Sequence, residues 1–498
     1  MLRRISLIVF LLFLVMAIYV AVKPNRTVTT SSSEAYRHYQ AGVGAHEELY
    51  LRQAMEEFEK AIQLDSQFAM AEAHLADVYS GMGFAKKAEE MRARAIAHKS
   101  HTSPREQLLI DCYQAGWERN NEKSYQIAQE LYRQYPEDLD AISTLAYREW
   151  GLSHWDRALE LFQQITKRFP DHAPAYNMLG YLNYYLGRYD DALAMLDRYI
   201  ELSRDQANPH DSRGEILHAL GRYDEAINEF RQAFNINPDF DFAVLHLAQT
   251  YQTLGQNRQV EYCFNILRGQ APNEAKARQY AIHYARQLAY RDELDSARRM
   301  MSSLVDKLAA TKDDAIGDAA FSLGALYYRQ RNLDSLRQVW DGSRAWMAER
   351  AKQVPAIVET PGWKIYDSFM RATEADLRGN FEEAARVFAE IIALAATPDE
   401  KMSYRVYYSD VLLRRGEAAQ AISELQKNLS INPNSPKTLI KLADIYEAGN
   451  DRASAQAYRE RAAEVWKNAD PDFRPLLELK KKLQVPLAAS TAAPAPRN

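Results

Sequence analysis

The stretch LGYLNYYLGRYDDALAMLDRYIEL, which begins at Leu179, recurs thirty-four residues later as RGEILHALGRYDEAINEFRQAFNI, which begins at Arg213. In both copies, apolar residues return every three or four positions within two segments, and a short Leu-Gly-Arg sequence separates the segments. This spacing is typical of paired amphipathic helices, whereas strands would alternate apolar and polar residues. A helix pair repeated at a fixed period predicts an all-α array in which each pair covers the apolar flank of the next.

The same period continues outside these two copies. Matching small, aromatic and proline residues stand at Leu145-Ala146, Ala158, Phe162 and Pro170; at Gly214, Ala226, Phe230, Ala233 and Pro238; at Leu247-Ala248, Tyr251, Phe264 and Pro272; and at Ala421, Leu425 and Pro433. In this pattern the chain resembles the tetratricopeptide repeat (TPR) family. The resemblance implies a right-handed TPR superhelix, an α-solenoid, in which small residues let two helices approach closely and the proline ends the second helix.

Counting the period along the chain predicts two arrays. We expect about nine units over residues 35–350 and three over residues 365–470, with a proline-containing connector at 351–364 where the superhelix changes direction. The extra residues RDEL, from Arg291, are expected to lengthen one turn. A capping helix over 471–484 and a disordered tail over 485–498 would complete the chain.

An apolar run near the N terminus predicts a membrane anchor. Residues 5–22 would form roughly 27 Å of helix at ~1.5 Å per residue, which nearly matches a hydrocarbon core. A cleaved secretory signal is the alternative, but a cut after Ala21 would place bulky Tyr19 where a small residue is needed. We therefore expect one transmembrane helix within residues 1–26 and a flexible polar tether at 27–34. This arrangement predicts a single-pass protein of the bacterial cytoplasmic membrane, with its repeats on the periplasmic side.

Composition and motifs argue against several classes of function. A net charge of −5 over 498 residues offers no large basic surface, so nucleic acid is not expected as a partner. The sequence has no P-loop, dinucleotide fingerprint, nucleophile elbow or HExxH motif, so no catalytic, cofactor or metal site is expected. Cys112 and Cys263 are the only cysteines and would lie several repeats apart. We expect both to be free thiols.

The TPR resemblance also indicates where a partner would bind, because the first helix of each unit lines the concave side in that family. The matching positions carry many aromatic residues followed by an acidic end, and the predicted groove consists of Tyr113, Trp117, Ser143, Tyr147, Trp150, Asn177, Tyr181, Tyr184, Tyr185, Asp211, Glu215 and His218. Tyr and Trp bind peptides at low entropic cost, and the acidic end would suit a basic or amine-bearing peptide. In the alternative interpretation, the rings pack against adjacent helices and the charges are solvated.

These features predict a non-enzymatic scaffold that holds a protein or peptide partner in its groove, in assembly of the bacterial envelope. TPR proteins that clamp the C-terminal carboxylate of heat-shock chaperones carry Asn at the ninth position of the first helix, and this chain does not. Two other interpretations stay open. In one, the chain is a sensory or regulatory module that acts through a separate signalling partner. In the other, it is an accessory subunit of an envelope biosynthesis enzyme complex.

Overall fold

The structure is a computed structural model that describes residues 27–311 and 315–483. Within these ranges the regular elements are 25 α-helices and two short 3-10 helices, at Lys99–His101 and Pro355–Glu359, and there is no strand. The all-helical fold predicted from the repeat pattern is therefore confirmed. The handedness of the superhelix stays a prediction.

Twenty-four of the α-helices follow one another as twelve pairs. The first six pairs are α1 (Ser33–Glu47) and α2 (Leu51–Leu64), α3 (Ala69–Gly81) and α4 (Ala85–His98), α5 (Pro104–Trp117) and α6 (Asn121–Gln134), α7 (Leu139–Gly151) and α8 (Trp155–Arg168), α9 (Ala173–Tyr185) and α10 (Tyr189–Leu202), and α11 (Ala207–Ala219) and α12 (Tyr223–Ile236). The next six are α13 (Asp241–Thr253) and α14 (Asn257–Gln270), α15 (Glu274–Tyr290) and α16 (Leu294–Thr311), α17 (Ile316–Arg329) and α18 (Leu333–Gln353), α19 (Pro361–Leu377) and α20 (Phe381–Leu394), α21 (Pro398–Arg414) and α22 (Ala418–Ile431), and α23 (Pro436–Ala448) and α24 (Arg452–Val465). A single helix, α25 (Arg474–Leu483), follows them.

Each quoted copy of the repeat folds as one such pair, and glycines make its turn and its close packing. Gly187 has a φ of +76°, in the left-handed region that commonly follows the end of a helix. In α9, a Cβ added to Gly180 would lie 2.7 Å from Cγ of Leu196 on α10. In the next pair, a Cβ on Gly214 would lie 2.5 Å from the Phe230 ring. In these two pairs the helices therefore pack closely because a side chain is missing.

The described residues belong to two compact units. The first contains the described residues up to 118 together with 122–144, and the second contains the described residues from 145 onward together with 119–121. Each unit has its own apolar core. Phe58 and Phe68 are fully buried in the first, and Phe230, Trp340 and Phe369 are almost fully buried in the second.

The predicted polar tether at 27–34 is packed onto the first unit. Val28 is only 4% exposed. The backbone N–H and the hydroxyl of Thr29 both donate to the carboxylate of Glu106, at 2.7 and 2.6 Å. The hydroxyl of Thr30 and the backbone N–H of Ser31 donate to Asp65, at 2.6 and 2.7 Å. The prediction of a flexible tether is wrong, because two carboxylates satisfy the donors of this Thr- and Ser-rich segment.

The predicted connector at 351–364 is short and packed. It contains the end of α18, the 3-10 helix and the start of α19. The rings of Trp346 and Trp363 stack across it with centroids 6.1 Å apart, and one buried core contains both Met347 and Ile365. The division of the repeats into nine and three units stays a prediction.

The extra residues in the eighth pair lengthen its helices and leave its turn unchanged. Helices α15 and α16 have 17 and 18 residues, whereas α9 and α10 have 13 and 14. Three residues, 291–293, join α15 to α16, as three residues, 186–188, join α9 to α10. The expectation of a longer turn at this position is therefore wrong.

Helix α25 lies within the range predicted for the capping helix. Its apolar residues Leu476 and Leu479 are buried in a core with Trp466 and Phe473. On its other side, the lysines at 480–482 are exposed. The predicted tail at 485–498 lies outside the described residues.

The last repeats of the second unit pack back onto its central repeats. The backbone N–H of Asp470 donates to the carbonyl oxygen of Gly255 at 3.0 Å. One pair earlier along the array, the side-chain amide of Asn434 donates to the carbonyl oxygen of Gly221 at 3.1 Å. Both glycines occupy the turn between the two helices of a pair. The concave groove expected along these repeats is therefore partly covered by the chain's own C-terminal repeats.

The predicted membrane location requires a correction. Among residues 27–311 and 315–483, no helix combines the length and the apolar character needed to cross a bilayer. The prediction of a single-pass protein of the cytoplasmic membrane, with its repeats on the periplasmic side, is overturned on this finding. The apolar run at 5–22 that suggested it lies outside the described residues.

Candidate functional site

A cavity of about 350 Å³ opens in the second unit, between the central repeats and the start of α21. Its wall is formed by Tyr181, Tyr184, Tyr185, Glu215, Ile216, His218, Ala219, Phe230, His246, Gln249, Thr397 and Asp399. The first helices of three consecutive pairs, α9, α11 and α13, supply most of these residues. The site therefore combines the repeat surface with a C-terminal helix that packs back onto it.

Aromatic rings extend from this cavity along the neighbouring repeat. The ring centroid of Tyr185 lies 5.3 Å from Trp150 and 4.9 Å from Trp155. Trp150 also meets Tyr181 edge-on at 6.2 Å. Such tilted and edge-on contacts are favourable arrangements for aromatic pairs. The four rings form a continuous surface, called here the aromatic cluster, that leads to the cavity.

Two phenol groups donate their protons to carboxylates in the cavity wall. The hydroxyl of Tyr181 donates a short hydrogen bond to Glu215, which lies one repeat later. The hydroxyl of Tyr184 donates to Asp399 at 2.8 Å, across 215 residues of chain. Burial raises the pKa of Tyr181 well above its ordinary value, and the Glu215 charge raises it further. Both phenols therefore stay protonated and act as donors.

His246 lies between two carboxylates. Its Nδ1 is 3.0 Å from Asp211 Oδ1, and its Nε2 is 3.4 Å from Glu215 Oε1. Burial alone would lower the pKa of His246, but the two carboxylates outweigh burial and raise it to about 9. Burial also raises the pKa of Glu215, against the opposing effect of His246. At neutral pH the ring is an imidazolium that is hydrogen-bonded to Asp211 and ion-paired with Glu215.

His218 is held as a neutral ring by contrast. Burial, together with the smaller effect of the His246 charge, lowers its pKa to about 4. Thr250 donates its hydroxyl hydrogen to the carbonyl oxygen of His246 at 2.9 Å. The hydroxyl must therefore accept from His218 Nδ1, which lies 2.9 Å away. The hydrogen on Nδ1 leaves Nε2 of His218 as an acceptor.

The carboxylates and His246 are also the ligand types that divalent metals prefer. Asp211, Glu215 and His246 each place one ligand atom within 4.8 Å of the others. In a metal site a single imidazole nitrogen binds the ion and the other donates to a second-shell group. Here Asp211 is bonded to Nδ1, which leaves only Nε2 and Glu215 as possible ligands, fewer than the three or four protein ligands of a zinc site, so the arrangement fits a buried ion-pair cluster better.

The structure brings together half of the predicted groove residues. Trp150, Tyr181, Tyr184, Tyr185, Glu215 and His218 line the cavity or the adjoining aromatic cluster. Asp211 is 3% exposed and contacts His246 behind the wall. Tyr147 packs one side of its ring against Phe162, and its side chain is 45% exposed to solvent. It lies on the same helix as Trp150. Asn177 is half-buried and is not among the residues of the cavity wall.

Three predicted residues belong to the first unit. Tyr113 stacks on Trp117 at 6.3 Å and meets His74 edge-on at 5.7 Å. The Trp117 indole donates to Asp77 at 2.8 Å. Ser143 is half-buried. Tyr113 and Trp117 both contact residues of the preceding repeat, as the alternative interpretation expects.

Sequence reasoning missed Trp155, His246, Thr397 and Asp399. Trp155 begins α8, the second helix of its pair, whereas the predicted groove consists of residues from the first helix of each pair. His246 lies thirty-five residues after Asp211, one position away from the repeat register. It follows directly after the residue of α13 that matches Asp211 in the repeat, so its neighbour in the register is the signal that points to it. Thr397 and Asp399 come from a distant repeat, and no local pattern signals their approach.

Comparisons with known proteins agree with the repeat pattern. A family model described as tetratricopeptide repeat matches residues 143–211 and 369–436, and a second, described as TPR repeat, matches 214–255. These segments are tetratricopeptide repeats. For these segments the repeat family expected from the sequence is thus confirmed.

A curated relative of the TPR segments is photosystem I assembly protein Ycf3 of Synechococcus sp. (strain CC9605), which is 28% identical over 113 residues. The match covers 21% of this chain and 65% of that protein, so the chain spans about two thirds of its relative's length. Among solved structures, a thermophilic TPR protein of Thermus thermophilus, TTC0263, is 21% identical with a TM-score of 0.33, covering 36% of this chain and 98% of that one. MamA is 17% identical with a TM-score of 0.29, covering 34% and 94%.

Proposed function

We propose that this chain is a non-catalytic scaffold that holds one polypeptide during assembly of a larger complex. The observation that carries the proposal is the aromatic cluster of Trp150, Trp155, Tyr181 and Tyr185 beside an open cavity on the first-helix side of the TPR array. Tyr and Trp supply large contact area with few rotatable bonds, so they dominate the binding energy of many interfaces.

An assembly role has the support of one relative. Ycf3 is named as an assembly protein, and its matched segment is about the size of three repeats. The envelope setting expected from the sequence depended on the membrane anchor, and it is not proposed again. A scaffold also fits a cavity wall whose ionisable groups are already bonded to one another, since Tyr181, Tyr184 and His246 each contact a carboxylate.

Photo-crosslinking tests the proposal. A photoreactive phenylalanine analogue placed at Tyr147, which is exposed and lies three residues before Trp150 on α7, should capture one recurring polypeptide in cells, identified by mass spectrometry. The same probe at Tyr262, which is 59% exposed on a second helix, is the matched control and should not capture it.

Adding Trp150→Ala and Tyr185→Ala to the Tyr147 probe should abolish capture without changing helicity. Capture of the same polypeptide with equal yield by the Tyr262 probe, or undiminished capture by the triple variant, would refute the proposed surface.

A further inference from the structure

We propose that the cavity binds the primary ammonium group of a lysine side chain presented by the partner polypeptide. This inference rests on the proposed function, because it names the chemistry of the partner that the scaffold holds. It depends on four features of the cavity: its hydrogen-bonding capacity, its net charge, its aromatic wall and its size.

Three residues of the cavity wall, Tyr181, Tyr184 and His218, offer hydrogen-bond acceptors and no spare donor, while Tyr185, Gln249 and Thr397 add groups that can also donate. Tyr181 and Tyr184 use their hydrogens on Glu215 and Asp399, so their oxygens retain only acceptor capacity. His218 uses its hydrogen on Thr250 and retains an acceptor at Nε2. A carboxylate accepts more than one hydrogen bond. These acceptors, together with the carboxylates, favour a ligand that is rich in donors.

The charge of the cavity is negative and not fully compensated. Glu215 and Asp399 are carboxylates of the wall, and Asp211 is a third that lies behind it. The His246 imidazolium is the one cation among the described wall residues, none of which is Lys or Arg. Burial raises the pKa of Asp399, which means that its charged form lacks the solvation it would have in water. A bound cation would restore that stabilisation.

The wall also suits the aliphatic stem of lysine. Tyr181, Tyr185, Ile216 and Ala219 supply aromatic and apolar surface next to the carboxylates. An ammonium group near such rings gains cation–π attraction while its stem packs against them. A volume of about 350 Å³ lies in the range of small-ligand pockets.

Lysine fits the acceptors better than arginine does. Glu215 and His218 stand on α11, whereas Asp399 stands at the first turn of α21. An ammonium group donates three hydrogen bonds in separate directions, which matches acceptors on separate helices. A guanidinium instead favours two parallel bonds to one carboxylate.

Calorimetric titration of the full chain tests the inference with defined probes. Nα-acetyl-lysine N-methylamide should bind saturably with one site per chain. Its Nε-acetylated form has the same stem but no charge, and it should bind at least tenfold more weakly. The corresponding arginine derivative should also bind more weakly than the lysine derivative.

The double variant Glu215→Gln, Asp399→Asn should weaken lysine binding at least tenfold. Both substitutions keep the shape of the side chain and an oxygen for the tyrosine donors, so circular dichroism should change little. The thermal midpoint should fall only by the part of the His246 ion pairs that Glu215 supplies. The control is Glu382→Gln, which removes an exposed charge from α20, away from the cavity. It should bind the lysine probe as the original chain does.

The outcomes separate this inference from the proposed function. Absence of saturable binding, equal binding of the acetylated probe, or equal binding by the double variant overturns the inference. Saturable Zn²⁺ binding that requires Glu215 and His246 and excludes the lysine probe would also overturn it, in favour of a metal site. If the Tyr147 probe still captures the polypeptide in any of these cases, only the ammonium site is refuted and the proposed scaffold function is not.

Discussion

The indole Nε1 of Trp466 donates a 2.9 Å hydrogen bond to the carbonyl oxygen of Thr253, 213 residues earlier in the chain. The bond joins the residue after α24 to the last residue of α13. Together with the contact between Asp470 and Gly255, it holds the C-terminal repeats against the central ones. The cavity depends on this closure, because Thr397 and Asp399 in its wall come from the same C-terminal repeats.

Gly255→Ala should loosen this closure. A Cβ at this position would lie 2.5 Å from the ring of Phe473, just before α25, and 2.9 Å from Cβ of Ala469. Gly187→Ala is a matched control, because Gly187 has nearly the same positive φ but open space around it. Both variants should lose about 1 kcal/mol from left-handed strain.

Hydrogen exchange distinguishes the two variants. Only Gly255→Ala should speed exchange of the backbone amides in α25, because only there does the new methyl group meet the C-terminal repeats. Equal exchange in α25 for the two variants would show that the contact does not hold the closure.

Gly214→Ala should destabilise the chain by about 1–3 kcal/mol, the usual cost of overpacking. A Cβ there would lie 2.5 Å from the ring of Phe230, which is almost fully buried and cannot easily move. Gly342→Ala is the control, since Gly342 lies within α18 with open space around it. It should gain about 1 kcal/mol, as Gly to Ala changes in exposed helices do. Urea unfolding of both variants measures the difference, and two changes of the same sign would contradict the packing argument.

The stability of the second unit should fall as the pH rises through about 9. The pKa of His246 is about 9 in the folded chain, against about 6.5 for an unperturbed histidine. Its ion pairs with Asp211 and Glu215 therefore contribute fully below pH 6.5 and are lost as the pH rises through 9. The contribution is on the order of 3 kcal/mol.

The variant His246→Gln isolates this effect. Other groups also titrate at alkaline pH, so the informative quantity is the difference between the original chain and the variant. The difference in unfolding free energy should shrink from pH 7 to pH 10. A difference that stays constant over this range would show that His246 is not charged in the folded state.

Both cysteines should resist alkylation in the folded chain. They are free and buried, as expected from the sequence. Burial raises the pKa of the Cys263 thiol to about 12, so very little thiolate is present at pH 8. Iodoacetamide should label neither residue in native buffer and both in denaturant, as read by intact mass. Rapid labelling of Cys263 in native buffer would contradict its burial in the second unit.

Local patterns predicted the helix pairs well. Helices begin at Leu139, Ala173, Ala207 and Asp241, the starts expected from the thirty-four-residue period. The period also brought Tyr181 and Glu215 together, since residues at equal positions of adjacent repeats lie side by side. These relationships are local in the array, so a sequence pattern is sufficient to predict them.

Contacts between distant segments were not predictable in this way. The packing of residues 27–34 depends on carboxylates at positions 65 and 106, and the Tyr184–Asp399 bond crosses 215 residues. A Thr- and Ser-rich segment has the same composition whether it is a loose tether or is packed against a folded unit. Nothing in its own residues tells which carboxylates it will meet.

The sequence by itself determined that the chain is a series of helix pairs at a period of thirty-four residues, and which residues of adjacent first helices are neighbours. Only the tertiary structure decided that the last repeats return to the central ones and close a cavity around Tyr184 and Asp399. The physical reason is that small rotations between successive pairs accumulate along an array. The repeat period specifies each pair, but the sum of these rotations determines where a distant pair will lie.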